Sequence, residues 1–412
     1  MAALGISVII VSRHRPDWLE RCLRAVGQLD YPCFETLVVA CPAGAKIARN
    51  FEPLRVIDLD VANISTARNV GVNAAQGEVV AFIDDDAVPE PTWLSHLAAG
   101  FTDPDVAQVG GTTLGRNGLS VQHAAALVDA TSQSFSVSVS MEDPVVLTPA
   151  EGKHPRLHGT NMALRWSAIT EHAGFDERFA FYLDETDLSY RVSCGGGRTV
   201  FAPKAVVHHA SGPSTYRDAD RTPRHVFEIA ASAAVFHGKH CEPSQRQAAQ
   251  TAFLTDRRKW ILRHMQQGPM TPDTAWALMR ELDAGYAAGC SRAAIAPPSW
   301  ASQVTGNVDH RGVTADDIYF VTSGRDTKTI CAKAKALAAK GQRVTVFDFR
   351  QNARYHRVSY TNDGFWLHTG GIYGREIRNE AVIRSSTLED RVRQTLERLK
   401  GIRSKNPLFP AG

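Results

Sequence analysis

The chain has 412 residues, of which 43% are apolar and 22% charged, a composition that is typical of a globular protein with two or three domains. Its formal net charge of +3 is too small to predict a nucleic-acid partner. No apolar run approaches the roughly 20 residues that cross a bilayer, and the apolar first residues lack the basic start of a signal peptide. The seven cysteines form no CxxC pair, which predicts reduced thiols and a cytoplasmic protein.

The first hundred residues alternate between short apolar runs and stretches with helical spacing. Strands that alternate with helices predict an α/β fold with a mostly parallel, Rossmann-like sheet. One helix is expected to open at Arg15-Pro16-Asp17, and a second to run over Ser65–Ala75 with Ser65 as its N-cap. The predicted strands are Ile6–Val11, Phe34–Ala40, Leu54–Leu59 and Val79–Ile83.

Between residues 106 and 210 the pattern becomes mixed. A helix is predicted over Asp187–Cys194, where it stops at a run of three glycines, and the serine-rich stretch Thr131–Ser140 is expected to be an edge or a loop. The predicted strands of this part are Val106–Gly111, Val145–Leu147, Thr199–Phe201 and Ala205–His208.

The second half of the chain divides at a proline-rich linker. Residues 225–296 are rich in alanine and predict helices with breaks at prolines, and Pro297-Pro298-Ser299 has the composition of a linker. The last block then predicts a strand, a helix and a strand. We therefore expect three parts, which are residues 1–224, 225–298 and 299–412.

An acidic triplet ends one of the predicted strands. Val79–Ile83 is an apolar run typical of a buried parallel strand, and Asp84, Asp85 and Asp86 follow it directly. Adjacent carboxylates repel one another unless a cation lies among them, and Mg²⁺ and Mn²⁺ prefer oxygen ligands. Open α/β sheets bind ligands at the carboxyl ends of their strands. The triplet therefore predicts a divalent-cation site, with a solvated acidic turn as the alternative.

Six short segments follow one another in order over about two hundred residues. They are Ile6–Pro16, Ala67-Arg68-Asn69-Val70-Gly71, Asp84-Asp85-Asp86, Gly159-Thr160-Asn161-Met162-Ala163, Gly174-Phe175-Asp176-Glu177 and Asp184-Glu185-Thr186-Asp187-Leu188. Together they resemble glycosyltransferase family 2, whose enzymes have the GT-A fold. Within that family the chain resembles the rhamnosyltransferases. The resemblance covers residues 5–215, about half of the chain.

The resemblance implies a metal-dependent transferase that moves a sugar from a nucleotide-diphosphate donor to a hydroxyl acceptor with inversion. The acceptor would be a glycan or a lipid-linked glycan of cell-surface polysaccharide synthesis. Mn²⁺ or Mg²⁺ would be bound by Asp86, with Asp84 on the ribose or a metal-bound water and His208 completing the metal shell. Asp85 would be structural. Because His208 and His209 are adjacent in a predicted strand, at most one of them faces the site.

Transfer to a hydroxyl needs a base that removes its proton. By the resemblance Glu185 is that base. Asp184 is the alternative, because the acidic pair is inverted relative to the family. Asp187 is expected to be structural, through the helix N-terminus or a neighbouring arginine.

The resemblance also implies that several polar residues bind the substrates. Guanidinium groups suit a diphosphate, although a structural ion pair with the acidic cluster is the alternative for Arg68. A turn-stabilising role is the alternative for Asn161. The expected substrate-binding residues are Ser12, Arg13, Arg15, Arg68, Asp84 and Asn161.

The chain departs from the family at the second strand, where Val38-Val39-Ala40-Cys41 stands in place of Val-Val-Asp-Asp. An Asp at that point contacts the nucleotide base in the family, so the base must be held differently here. The departure favours the alternative that the domain binds a nucleotide sugar or a glycan with weakened turnover. A nucleotidyltransferase would need a glycine-rich loop after the first strand, and Ser12–Pro16 has no glycine.

The last block is basic, with 18 Lys and Arg against 10 Asp and Glu from Val313 onward. Val321-Thr322-Ser323-Gly324 and Asp363–His368 faintly resemble the start of a GT-B transferase, but the block is too short for that fold's second half. We expect a separately folded, small α/β domain that docks on an acidic partner, a glycan or the inner face of the cell membrane. A solvated basic surface is the alternative.

Overall fold

The computed structural model describes residues 3–300, 308, 317–377 and 379–403. Up to residue 209 the chain forms thirteen strands and six helices. The strands are β1 (Ile6–Ser12), β2 (Phe34–Ala40), β3 (Arg55–Asp58), β4 (Val79–Asp84), β5 (Ala87–Pro89), β6 (Val106–Leu114), β7 (Val121–His123), β8 (Ala126–Val128), β9 (Ser134–Ser136), β10 (Val145–Leu147), β11 (His154–Pro155), β12 (Met162–Arg165) and β13 (Arg198–His209). The helices are α1 (Pro16–Val26), α2 (Pro42–Ala48), α3 (Ile64–Ala74), α4 (Trp93–Ala99), α5 (Trp166–Glu171) and α6 (Asp184–Cys194).

Ten of these strands form one sheet with the order β10-β13-β6-β12-β4-β1-β2-β3, with β5 on β13 and β7 on β6. The four strands β4, β1, β2 and β3 pair in parallel. Strand β12 lies antiparallel between β4 and β6. The expected α/β fold with a parallel, Rossmann-like core is confirmed, and the carboxyl ends of β4 and β1 lie side by side.

Some predicted boundaries were wrong, for local reasons. Asn63, not Ser65, caps α3, because its side chain accepts from the Thr66 amide at 3.1 Å while the Ser65 hydroxyl donates to the Phe179 carbonyl. The two short strands expected before residue 209 are one strand, β13, whose pairing with β6 shifts register between Ala202 and Val206. A bulge of this kind hides continuity from the sequence pattern.

The next part of the chain is a bundle of three helices, α7 (Phe227–His240), α8 (Arg246–Gln266) and α9 (Pro272–Cys290). Helices α7 and α9 approach closely because Gly285 and Gly289 face α7. A Cβ at these glycines would lie 2.3 and 2.2 Å from the carbonyl oxygens of Phe227 and Ala231. The bundle packs on Phe179 and other apolar residues before α6. Among the described residues, no helix combines the length and the hydropathy that are needed to cross a bilayer.

Residues 317–403 form what we call the C-terminal module. Its elements are β14 (Asp317–Thr322), α10 (Thr327–Ala338), β15 (Arg343–Arg350), β16 (Arg357–Tyr360), β17 (Trp366–Gly371) and α11 (Leu388–Leu399). The strands form a separate sheet with the order β14-β15-β17-β16. The predicted strand, helix and strand are present. The start of the expected third part, residues 301–307 and 309–316, lies outside the described residues.

The C-terminal module packs directly on the large sheet. Val358, Tyr360 and Trp366 share a buried apolar cluster with Ala25 and Val88. The expected division of the chain into three parts stays a prediction, but the module is more than a tethered unit. Part of its basic surplus is neutralised by acids of the same chain. Arg391 and Arg398 pair with Glu376 of the module, and Arg403 pairs with Glu90 of the first domain.

Candidate active site

The acidic triplet lies where β4 ends, beside the end of β1. In the parallel pairing of these strands Val11 stands opposite Asp84, so Ser12 and the triplet share one edge of the sheet. The side chain of Asp84 is 29% exposed, whereas Asp85 and Asp86 are buried. One acid is therefore open to solvent and two are held by the protein.

Asp86 is held by several positive or donating groups. Arg15 Nη2 lies 2.6 Å from its Oδ2, the Gly212 amide donates to the same oxygen at 2.8 Å, and Arg217 Nη2 lies 3.4 Å away. The His209 Nε2 lies 3.3 Å from the other oxygen. Burial alone raises the pKa of Asp86, but the His209 hydrogen bond and charge and the Arg15 charge lower it well below its usual range. Asp86 is therefore a carboxylate at any ordinary pH.

Asp84, Asp86 and His209 each offer one ligand atom, and these three atoms lie within 4.8 Å of one another. Two carboxylate oxygens and one imidazole nitrogen suit Mn²⁺ or Mg²⁺. Ligands of one octahedral ion at about 2.1 Å would lie roughly 3 Å apart, which the 3.3 Å between Asp86 and His209 approaches. Thr160 fixes the orientation of Asp84 by donating its hydroxyl to Oδ2 at 2.6 Å. The residues present thus fit a divalent cation.

The expectation that His208 belongs to this group needs correction. His208 and His209 are adjacent in β13 and point to opposite faces, and it is His209 that faces the acids. The His208 Nε2 instead lies 2.8 Å from Glu90 Oε1, and its ring packs on Trp366 with 4.7 Å between ring centroids. The sequence alone gave no way to tell which of the two faces looks towards β4.

Asp85 turns back into the protein, as expected for a structural residue. Its carboxylate accepts the Ser12 hydroxyl at 2.8 Å, and Arg15 Nη1 lies 3.0 Å away. Burial raises the pKa of Asp85 to about 7 despite the Arg15 charge. Ser12 and Arg15, expected to bind substrate, are therefore both engaged with the triplet, and Arg15 bridges two of its members.

Arg68 is buried between two acids. Its guanidinium pairs with Asp184 and lies 3.6 Å from Asp84 Oδ1. Gly159 packs against this guanidinium, since a Cβ at residue 159 would lie 2.4 Å from Arg68 Nη2 and would displace it. Burial raises the pKa of Asp184 to about 7, even though Arg68 opposes the shift. The structural alternative for Arg68 is thus the arrangement that is present here.

Glu185 lies one residue beyond that ion pair, in the first turn of α6. It is half-buried, and among the described residues its carboxylate accepts a hydrogen bond from Thr186 at 3.2 Å. The two residues before the helix, Tyr182 and Leu183, have positive φ angles of 76° and 65°. Such backbone strain in residues other than glycine clusters at functional sites. Of the two candidate bases, Glu185 is the one that remains partly open to solvent.

Three other residues singled out by the sequence have partners within the protein. Asn161 is buried, and its side chain accepts from Trp93 Nε1 at 2.8 Å and donates to two carbonyls, so both groups of its amide are engaged. Arg13 pairs with Asp60 at 2.7 Å while 38% of its side chain stays exposed, and its role in substrate binding stays a prediction. Asp187 is buried with Arg191, Lys239 and His240 around it, which agrees with the structural role expected for it.

Several residues of the site were not predicted. They come from segments without a recognisable pattern, such as the loop after β13 with Gly212 and Arg217, and from β7, where Gln122 Nε2 lies 3.1 Å from His209 Nδ1. Thr160 belongs to one of the segments that resemble the family, but its contact with Asp84 was not predicted. The one signal that pointed to His209 was its adjacency to His208.

Two family descriptions match the chain. Glycosyl transferase family 2 matches residues 7–125, and Glycosyl transferase family group 2 matches residues 79–277. The O-antigen biosynthesis protein RfbC of Myxococcus xanthus is 28% identical over 243 residues, which are 55% of this chain and 19% of that protein. An N-acetylglucosaminyl-diphospho-decaprenol L-rhamnosyltransferase of Mycobacterium tuberculosis is 38% identical over 72 residues, which are 18% of this chain and 24% of that protein.

Among solved structures, the mannosyltransferase PcManGT from Pyrobaculum calidifontis, in complex with GDP-Man and Mn²⁺, has a TM-score of 0.43 and 17% identity, covering 71% of this chain and 88% of that chain. The chain spans about a fifth to a quarter of the length of the two relatives named above. The two overlapping family matches run together from residue 7 to residue 277 and include the whole acidic site. The part of the chain that these matches span therefore carries a glycosyltransferase family 2 domain.

Proposed function

We propose that the chain transfers a sugar from a nucleotide-diphosphate donor to a hydroxyl acceptor, with inversion at the anomeric carbon. The observation that carries the proposal is the convergence of Asp84, Asp86 and His209 at the carboxyl edge of the sheet, inside the region that the two family descriptions match together. Mn²⁺ or Mg²⁺ would be held by these three side chains. When bound, the ion supplies positive charge to the departing diphosphate.

Two arginines beside the cation site would assist departure of the diphosphate. Arg15 and Arg217 both reach Asp86, and a nucleotide diphosphate would compete for the same guanidinium groups. A guanidinium presents paired N–H donors that match phosphate oxygens. In this proposal the two arginines exchange a carboxylate partner for a phosphate partner when the donor binds.

Glu185 is the proposed base. The acceptor hydroxyl forms a bond to the anomeric carbon, the bond from that carbon to the diphosphate oxygen breaks, and the hydroxyl proton passes to the Glu185 carboxylate. Asp184 is the weaker candidate because its carboxylate already pairs with buried Arg68. Inversion follows when attack and departure take place on opposite faces of the sugar.

The names of the relatives support a role in polysaccharide synthesis. One relative is named for O-antigen biosynthesis and another for transfer of L-rhamnose to a diphospho-decaprenol-linked sugar. We therefore propose a glycan or a lipid-linked glycan as the acceptor. An acceptor of the second kind would place the protein at the inner face of the cell membrane during catalysis.

A second candidate is a domain that binds a nucleotide sugar with weakened turnover. It is favoured by the end of β2, where Ala40 and Cys41 stand in place of the acids that contact the base in the family. Turnover of the bound donor separates the two candidates.

A donor screen on the full chain tests the proposal. Thermal unfolding is followed with a panel of nucleotide-diphosphate sugars, each with and without Mn²⁺, because a ligand that binds the folded state raises the melting temperature. We expect one donor to act only with Mn²⁺, to be hydrolysed slowly, and to lose both effects in Asp86→Asn. A stabilised protein that releases no nucleotide would support the binding domain, and a folded protein that no donor stabilises would contradict both.

A further inference from the structure

Strands β5 and β13 form a short two-stranded ribbon beside the candidate cation site, and a side-chain pair joins the strands towards each end of it. Strand β5 begins directly after Asp86 and leads to Glu90, and it pairs antiparallel with β13, with His209 opposite Ala87 and His208 opposite Val88. His209 contacts Asp86 at one end of this ribbon, and His208 contacts Glu90 at the other.

Backbone hydrogen bonds frame the same ribbon. The Ala210 amide donates to the Asp86 carbonyl at 3.0 Å, and the Glu90 amide donates to the Val206 carbonyl at 3.0 Å. The ribbon is only three residue pairs long, so the contact between Glu90 and His208 lies close to His209. A group that holds Glu90 and His208 is thus well placed to set the position of His209.

What holds Glu90 is Arg403 of the C-terminal module. Arg403 Nη2 and Nε donate to the two Glu90 oxygens at 2.6 and 2.9 Å, a bidentate pair in which both side chains are buried. The guanidinium also lies over the Trp366 ring at 4.1 Å, and this ring packs on His208. One arginine therefore fixes both Glu90 and His208, the pair at the buried end of the ribbon, which we call its sealed end.

Arg403 is in turn oriented by a buried chain of polar groups. Its Nη1 donates to His368 Nε2 at 2.9 Å, which leaves the His368 proton on Nδ1 to be donated to His356 Nε2 at 3.0 Å. His356 Nδ1 then donates to Glu376 at 3.0 Å. Burial lowers the pKa of His356 to about 4 and holds the pKa of His368 well below its usual range, so both rings are neutral, as this order of donors requires.

The residues just before Arg403 also contact the first domain, next to Glu90. His96 Nε2 lies 2.5 Å from the Gly401 carbonyl, and Thr92 binds the carbonyl of residue 402. Thr92 is the N-cap of α4 and His96 lies within that helix, so both follow Glu90 closely in the chain. The two residues before Arg403 are thus held against the residues that follow Glu90, beside the ion pair.

We propose that Arg403 is a positioning residue of the candidate active site: by holding Glu90 and His208 on one face of β13, it sets where His209 lies on the other. The proposal rests on the proposed function, because it takes the group of Asp84, Asp86 and His209 as the cation site. In this view the C-terminal module belongs to the donor site, although it contributes no group that touches the donor.

The test compares Arg403→Met with Arg343→Met in the full chain. Arg343 is a matched control, since it is also a buried arginine of the module, and it pairs with Asp317 within the module. Two quantities are measured on folded protein: the dissociation constant of Mn²⁺ alone, and hydrogen exchange of the Ala210 amide region. Arg403→Met should weaken Mn²⁺ binding by about tenfold or more and speed this exchange, as loss of a group behind metal ligands does. Arg343→Met should leave both as in the wild type.

Each outcome decides the proposal. Unchanged Mn²⁺ affinity in a folded Arg403→Met variant overturns it, even if exchange becomes faster. Should the wild type bind no Mn²⁺, the metal part of the proposed function fails, and exchange at Ala210 alone then decides whether Arg403 positions β13. Should Arg403→Met not fold, both measurements are made on the double variant Glu90→Gln, Arg403→Met, which leaves no unpaired charge at this ion pair. Arg403→Lys, which keeps the charge and loses the bidentate fork, should lie between the wild type and Arg403→Met.

Discussion

Two adjacent histidines in β13 each face a buried carboxylate, and the two pairs differ in what completes them. On one face Glu90 and His208 are joined by Arg403, whose side chain is fully buried, so the cation of this pair comes from the chain itself. On the other face Asp86 and His209 are joined by Asp84, which is 29% exposed. A cation from solvent can reach the second pair. Both carboxylates have an arginine partner, since Arg15 also pairs with Asp86, so access from solvent is what separates the candidate ligand set from the structural pair.

The largest expected effect is on catalysis at the candidate active site, which lies on the solvent-accessible face of this comparison, here called the open face. Glu185→Gln keeps the size of the side chain and removes its basicity, so turnover should fall by roughly 10²–10⁴-fold while donor affinity stays near the wild-type value. Single-turnover transfer and donor calorimetry measure the two effects. Asp184→Asn is the matched control, and a larger loss of turnover in that variant would make Asp184 the base.

The free energy of unfolding should depend mainly on the face of β13 that carries Glu90, His208 and Arg403, here called the sealed face. Arg403→Met leaves the Glu90 charge buried without its partner, which should lower the free energy of unfolding by about 3–5 kcal/mol. Arg217→Met changes an arginine of the open face that is partly exposed, and Asp86 keeps Arg15 and the Gly212 amide. Its cost should stay below about 1 kcal/mol. Urea unfolding measures both, and equal losses would contradict the distinction between the two faces.

The sealed face should also make stability sensitive to acid. Burial opposes ionisation of Glu90, but Arg403 and His208 together lower its pKa from the ordinary 4.5 to about 2. A carboxyl whose pKa is lower in the folded state stabilises above its unfolded pKa and loses that contribution as the pH falls. Between about pH 4.5 and 2 the loss is of the order of 3 kcal/mol. Glu90→Gln should flatten this part of the pH profile of unfolding, and an unchanged slope would contradict it.

The smallest effect concerns the two histidines themselves. His209→Gln removes a proposed ligand and should weaken Mn²⁺ binding by about tenfold or more, whereas His208→Gln should weaken it less, since His208 acts only through β13. Titration of Mn²⁺ into each folded variant measures the difference. The opposite ranking would restore the assignment that the sequence alone suggested.

The fold and the place of the site were predictable because they depend on local patterns. The apolar run before Asp84 is long enough to be a strand, and parallel strands bring their ends together, so the acidic edge follows from periodicity alone. The resemblance to glycosyltransferase family 2, confirmed by the two family matches, followed from segments that are local as well.

What could not be predicted depends on orientation and on distant contacts. Which of His208 and His209 faces the acids depends on how β13 is turned in the sheet, which its pairing with β5 and β6 fixes. Asn161 lies in a segment that resembles the family, yet its amide is used by three groups that only the packed sheet brings together. The pair of Glu90 and Arg403 joins residues that are 313 positions apart, and no pattern in either segment indicates the other.

That separation has a consequence for the order in which the molecule is completed. During synthesis, Glu90 leaves the ribosome 313 residues before the arginine that neutralises it. Until then the first domain carries a carboxylate that water must solvate, with the apolar surface around Val88 uncovered. The nascent domain can build its sheet but cannot close this face. Completion of the fold is therefore timed by the arrival of the C-terminal module, and a chain that stops before it would present the same uncovered face to chaperones and proteases.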